Sequence, residues 1–211
     1  MESHDLIHQS VSEYYSEKVK KYGASPSGVD WNGEQSQFLR FMQLCRVFDG
    51  EDLNTSTVLD FGCGYAALLE YLENNFSNFS YKGLDISEAM ILEASKLYLG
   101  KENCSFSVGA TIERQSVDYV IGSGIFNVKL GNEEKEWEEY IERTLDLFHD
   151  SSRAGFAFNC LTSYSDSEKM KAHLHYASPE KIFKRCKQRY SKNVALLHDY
   201  DLFEFTILVK K

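Results

Sequence analysis

Proline is scarce in this chain of 211 residues, where Pro26 and Pro179 are the only two. Each marks a boundary, and no proline-rich linker, low-complexity tract or internal repeat divides the sequence. No uninterrupted apolar stretch approaches the ~20 residues that a membrane-crossing helix needs. Met1 leads into Glu-Ser-His-Asp, not into a basic segment followed by an apolar one, so a cytoplasmic protein without a membrane partner is expected. The five cysteines, Cys45, Cys63, Cys104, Cys160 and Cys186, are odd in number, scattered and without a C-x-x-C pair, which excludes an evident zinc site and fits a reducing compartment. Positive charge is also short: 23 Lys and Arg stand against 32 Asp and Glu, a net charge of −9. Proteins that meet phosphate backbones usually present a basic face. The densest basic run, Lys181 to Arg189, alternates with Ile182, Phe183 and Cys186 at helical spacing and reads as the wet side of an amphipathic helix. A small soluble molecule is therefore favoured as partner over nucleic acid, and nothing bears on the oligomeric state.

What is present is ordinary for a globular protein, with 43% hydrophobic and 26% charged residues, except that aromatics reach 14%. The length suits one domain spanning 1–211, with a helical cap over 1–50 and a core over 51–211. From Thr57 onward, short β-rich runs alternate with helical patterns, which points to an α/β fold with a mostly parallel sheet and helices on both faces. The expected strands are Thr57 to Phe61, Tyr81 to Asp85, Ser105 to Val108, Val117 to Gly122 and Ala154 to Cys160. A terminal antiparallel pair, Val194 to His198 and Phe203 to Val209, brings the sheet to seven strands. Ser87 caps a helix whose buried side is expected to carry Met90, Ile91, Ala94 and Leu97. The glutamate-rich segment from Asn132 to His149 carries Trp137, Ile141, Thr144, Leu145 and Phe148 every three or four residues and reads as a sheet-covering helix. Two more helical patterns, Leu6 to Tyr22 and the one marked by Phe38, Met42, Cys45 and Phe48, precede the first strand. The Gly23 to Gly33 loop between them carries Trp31, a large aromatic placed where it can close over a ligand.

The chemistry concentrates where the first strand ends. Gly62-Cys63-Gly64-Tyr65-Ala66-Ala67 opens a helix and bares backbone N–H groups, in the position where open α/β sheets bind ligands. Such a loop also serves dinucleotides, so its surroundings must decide. Asp60, two residues before Gly62, would repel a pyrophosphate and attract an ammonium. S-adenosylmethionine has an ammonium and no phosphate. Asp85 ends the second strand, 21 residues after Gly64, where a carboxylate can accept both ribose hydroxyls. That feature is shared with nicotinamide cofactors.

These residues resemble a known family. Val58-Leu59-Asp60-Phe61-Gly62-Cys63-Gly64-Tyr65 is similar to motif I of the class I S-adenosylmethionine-dependent methyltransferases, and Gly83-Leu84-Asp85-Ile86-Ser87 with Met90 resembles the ribose-binding motif that follows it. Tyr119 to Gly124 resembles the fourth strand. The resemblance covers residues 57 to 209 and implies a Rossmann-like fold. Gly28-Val29-Asp30-Trp31-Asn32 and Ser123-Gly124-Ile125-Phe126-Asn127-Val128-Lys129-Leu130 resemble a group of bacterial methyltransferases. The resemblance implies that Asp60, Gly62, Cys63 and Gly64 meet the methionine end and ribose of S-adenosylmethionine, that Asp85 binds the ribose and that Ile86, beside Met90, packs on adenine. It places Ala110, Thr111 and Ile112 at the adenine edge, where no acidic residue stands, so that a backbone carbonyl or the Thr111 hydroxyl would have to serve. Ser123 would line the methionine moiety.

Methyl transfer needs alignment and, for weak nucleophiles, a base. His198 and His175 are the candidate bases, and Tyr15, Tyr22, Trp31, Asn127 and Tyr164 are candidates to line the substrate pocket. No metal is expected, since His173 and His175 lack a nearby third ligand. The leading reading is methyl transfer to O or N of a small soluble molecule. A nicotinamide-dependent oxidoreductase and a non-catalytic S-adenosylmethionine-binding protein are the alternatives.

Overall fold

The computed structural model describes residues 3–31 and 33–211, so Met1, Glu2 and the Asn32 of the aromatic-bearing phrase lie outside it. Helix α1 (Ser3–Tyr22) and helix α2 (Glu34–Cys45) precede β1 (Thr57–Phe61), joined by a loop with one tight turn at Pro26–Val29. There follow α3 (Ala67–Asn75), β2 (Ser80–Asp85), α4 (Glu88–Leu97), β3 (Cys104–Val108), β4 (Val117–Gly122), α5 (Glu134–Ser151), β5 (Ser152–Leu161), α6 (Pro179–Arg189), β6 (Asn193–Leu197) and β7 (Glu204–Lys210). The strands form one seven-stranded sheet in the order β3-β2-β1-β4-β5-β7-β6. Pairs from β3 to β5 are parallel, and β7 runs antiparallel between β5 and β6.

Strand alternation builds two cores, one on each face. Leu59, Val120, Phe156, Phe158, Ile207 and Val209 pack with Ile7 of α1 and with Trp137, Ile141 and Phe148 of α5. Their neighbours in sequence, Val58, Tyr119, Ile121, Ala157 and Leu208, point the other way, against Phe41 and Leu44 of α2 and Leu68, Leu69 and Leu72 of α3. A central strand buried on both faces needs apolar residues at nearly every position, which is why β1, β4, β5 and β7 read as near-continuous hydrophobic runs.

The helix starts follow from local chemistry. Ser87 Oγ accepts from Met90 N at 3.3 Å and caps α4, and Ser178 Oγ caps α6 ahead of Pro179. One expected contact is absent. Leu97 is 55% exposed, because the last turn of α4 overhangs β3, the outer strand of the sheet, and finds no further strand to cover. Among the described residues no helix is long and apolar enough to cross a membrane.

Candidate cofactor and active site

The chain order of the sheet reverses between β1 and β4, and there the carboxyl ends of the strands part to leave a crevice. Beyond β1, Gly62 turns into the left-handed region (φ +72°), and its N–H and that of Cys63 both donate to Leu84 O, at 2.7 and 3.1 Å. A Cβ on Gly62 would stand 2.4 Å from Ile125 Cγ2. Glycine is thus required twice there, by backbone conformation and by space. Gly64 is also left-handed (φ +55°) and packs under Val29.

Two carboxylates flank this loop. Asp85 is 8% exposed, and its oxygens accept separately from Ser87 N and Gly64 N, each at 2.8 Å. Burial raises its pKa above the ordinary carboxylate value, and those N–H groups pull it back. Asp60 is 2% exposed and accepts from the Tyr81 hydroxyl at 2.6 Å. Burial pushes its pKa up to about 7, against the Tyr81 hydrogen bond, and the charge of Asp85 adds to the rise.

Around the loop lies a cleft with about 870 Å³ of space free of protein atoms. Helix α1 covers one side with Val11 and Tyr15, and it is tied to the β2–α4 turn by Ser12 Oγ donating to Ile86 O and by Ser16 Oγ lying 2.8 Å from Ser87 Oγ. Trp31 and Val29 cover another side, Ser123 to Ile125 form the β4 wall, and Tyr140 of α5 reaches in from below. None of the described residues that line the cleft is Lys, Arg or His.

Of the residues singled out from sequence, the cleft gathers Asp60, Gly62, Cys63, Gly64, Asp85, Ile86, Met90, Ala110, Ser123, Tyr15 and Trp31. It does not gather the others. Thr111 is exposed and Ile112 turns into the core on the α5 face. Tyr22 is exposed on the outer end of α1. Tyr164 is 64% exposed, its hydroxyl on Glu180. Asn127 is buried beside the site, but its Oδ1 accepts from Leu161 N at 3.0 Å and its carbonyl from His175 N. His175 Nδ1 stands 2.7 Å from Glu134 Oε1, in a separate cleft between α5 and α6, and burial lowers its pKa despite that carboxylate. His198 is exposed at the end of β6, its ring against Tyr164 and Phe205. Neither imidazole reaches the crevice.

Sequence reasoning did not assign Gln37, Phe41, Tyr65, Gly124, Ile125 and Tyr140 to the cleft. Gly124 and Ile125 stood in a phrase already singled out, and Tyr65 in the glycine loop itself. Tyr140 had no local signal, being one of several apolar positions on a long helix.

The lining suits one kind of ligand. Ser123 Oγ is buried at the cleft without a hydrogen-bond partner, two glycines open the backbone to close approach, and the charges offered are carboxylates. A ligand with ribose hydroxyls and an ammonium, and without phosphate, matches them. Fold and crevice together define a nucleoside-cofactor enzyme of the open α/β class. Comparison with known proteins names the chemistry. Residues 59–152 match a family model described as "Methyltransferase domain". The chain is 51% identical over 155 residues to Rv1506c of Mycobacterium tuberculosis, named as a methyltransferase, a match covering 74% of this chain and 93% of the relative. Among solved structures, magnesium protoporphyrin IX methyltransferase of Synechocystis PCC 6803 with bound SAH is similar (TM-score 0.60, 16% identity, 84% of this chain and 83% of that one). So is Haemonchus contortus phosphoethanolamine N-methyltransferase 1 (TM-score 0.67, 14% identity, 97% of this chain and 49% of that one). The chain belongs to the class I S-adenosylmethionine-dependent methyltransferases. Its cofactor is S-adenosylmethionine, and the nicotinamide and non-catalytic alternatives fall away.

Proposed function

We propose that the chain transfers the methyl group of S-adenosylmethionine to a nitrogen of a small soluble molecule, and that residues 1–50 act as a cap on the 51–211 core within one domain. The observation that carries this reading is the composition of the cleft wall: Tyr15, Trp31 and Tyr140, two carboxylates, and no described Lys, Arg or His. When bound, S-adenosylmethionine supplies a methyl carbon activated by a sulfonium. The chain's own residues bind and align. Asp85, its oxygens steadied by Gly64 N and Ser87 N, would take the ribose hydroxyls. Ile86 and Met90 would pack on adenine with Ala110 at its edge, and Asp60 would draw the ammonium toward the glycine loop. Ser123 Oγ would donate to or accept from the methionine moiety.

The choice of nitrogen rests on protons. An alcohol is a weak nucleophile and needs a base beside it, and on this reading both carboxylates of the wall are committed to the cofactor, whereas a neutral amine attacks with its own lone pair. Burial raises the Tyr15 phenol above its ordinary value, so it keeps its proton and serves as a donor, not as a base. An anionic acceptor would meet Asp60 and Asp85 without a described cation to pair with. A net charge of −9 likewise gives a phosphate backbone no attraction.

Incubation with methyl-labelled S-adenosylmethionine and fractionated cell extract tests the reading. Label is expected in the small-molecule filtrate, in compounds other than S-adenosylmethionine itself that bind a cation-exchange resin. Label confined to macromolecules would overturn the small acceptor, and label found only in ethers and esters would overturn nitrogen.

A further inference from the structure

Two phrases that cofactor binding leaves unexplained, the one holding Trp31 and the one beginning at Ser123, meet at a single point. A Cβ on Gly124 would stand 2.5 Å from Trp31 Cη2 and Cζ2, so the indole edge lies directly on that glycine. Gly124 is left-handed (φ +73°), and its N–H donates to Asn159 Oδ1 at 2.8 Å. Asn159 Nδ2 donates to Glu204 Oε2 at 2.5 Å. Glu204 in turn accepts from Arg40, at 2.8 Å from Nε to Oε2 and 2.6 Å from Nη2 to Oε1. Arg40 closes the circuit, with its guanidinium carbon 3.9 Å from the centroid of the Trp31 ring. Five residues from five segments thus form a ring, and Trp31 and Gly124 are the two that line the cofactor cleft.

Arg40 and Glu204 are both buried, with side chains 7% and 2% exposed. Burying such a pair costs desolvation, and apolar replacements of equal size are often no less stable, so stability alone is a weak reason to have it. Geometry is a better one. The third arm of Arg40, Nη1, donates to Ser36 O at 2.7 Å, which fixes the plane of the guanidinium. That leaves a flat cationic face for the indole, and only a planar fork can hold a carboxylate bidentately and stack on a ring at once.

We propose that Arg40 is a positioning residue for the cofactor cleft: held by Glu204, its guanidinium keeps the Trp31 indole on Gly124, so that indole and β4 end act as one wall. This rests on the cleft being the S-adenosylmethionine site, and the test separates the two. The protein has two tryptophans, Trp31 and Trp137. Labelled with 5-fluorotryptophan, it gives two fluorine resonances, assigned with Trp31→Phe. In Arg40→Lys, which keeps the charge on Glu204 but loses the planar face, the Trp31 resonance is expected to shift and broaden while that of Trp137 stays. Affinity for S-adenosylhomocysteine, read by calorimetry at a temperature where both proteins are folded, should fall about fivefold, near 1 kcal/mol. Should Arg40→Lys fold poorly, Arg40→Met with Glu204→Gln removes both charges and leaves no unpaired ion buried. An unmoved Trp31 resonance in whichever variant folds overturns the clamp. A displaced Trp31 with unchanged S-adenosylhomocysteine affinity overturns the assignment of that wall to the cofactor.

Discussion

Asp85→Asn is expected to weaken S-adenosylhomocysteine binding by about a hundredfold, roughly 3 kcal/mol, while the protein stays folded. Both oxygens of Asp85 are already committed to N–H donors, Oδ2 to Gly64 and Oδ1 to Ser87. An asparagine supplies one acceptor and must turn its NH2 toward the other donor. Losing a hydrogen bond to a charged group costs about 1.5–3 kcal/mol. The loss falls on the glycine loop and on the start of α4 together, the two segments that shape the adenosine end of the cleft. The ribose hydroxyls, on the proposed reading, lose a charged acceptor as well. Against this, asparagine relieves the burial that raises the Asp85 pKa, which spares the apo fold. Calorimetry with S-adenosylhomocysteine and a melting curve measure the two effects separately. Binding within about threefold of the unmodified protein would remove Asp85 from the site.

That residue was visible in the sequence because its signals are local. A strand of apolar residues ending in Asp60, then two glycines, then a second strand ending in Asp85 can be read within thirty positions, and β1 and β2 hold those carboxylates at adjacent ends. The sheet was legible for a related reason, since strands buried on both faces must be apolar throughout. What could not be read depends on contacts between distant segments. Leu97 sits at a buried-looking helical position, and only the sheet order shows that α4 runs past the edge. His175 and His198 were chosen for their chemistry, but their positions are set by the packing of α5 on α6 and by the end of β6. Arg40 and Glu204 lie 164 positions apart in sequence, and nothing near either announces the other. Trp31 could be placed over the cleft from its loop. What holds it there could not.

Asp60→Asn is expected to separate stability from binding. The folded protein holds Asp60 with a pKa near 7, against an ordinary 3.8, because burial disfavours its charge. An acid whose pKa is raised by folding contributes most at low pH. Its contribution is intact below about 3.8, falls as pH rises at ~1.4 kcal/mol per unit, and is gone once pH passes about 7. Asparagine is close in shape, still accepts from the Tyr81 hydroxyl and carries no charge to bury. The ligand-free variant should therefore melt higher than the unmodified protein at pH 8, with the gain shrinking toward pH 4. Binding moves the other way. A cofactor bearing an ammonium binds the ionised carboxylate best, so the unmodified protein should tighten on S-adenosylhomocysteine as pH rises toward about 7 and level off above it. Asp60→Asn should lose that slope and bind about tenfold more weakly at pH 8. A variant that melts lower at pH 8, or one that keeps the pH dependence of binding, would show that Asp60 is already charged and compensated without the cofactor. The opposite signs of the two expected effects are the point: a carboxylate that costs the empty fold stability is one whose charge waits for a cation.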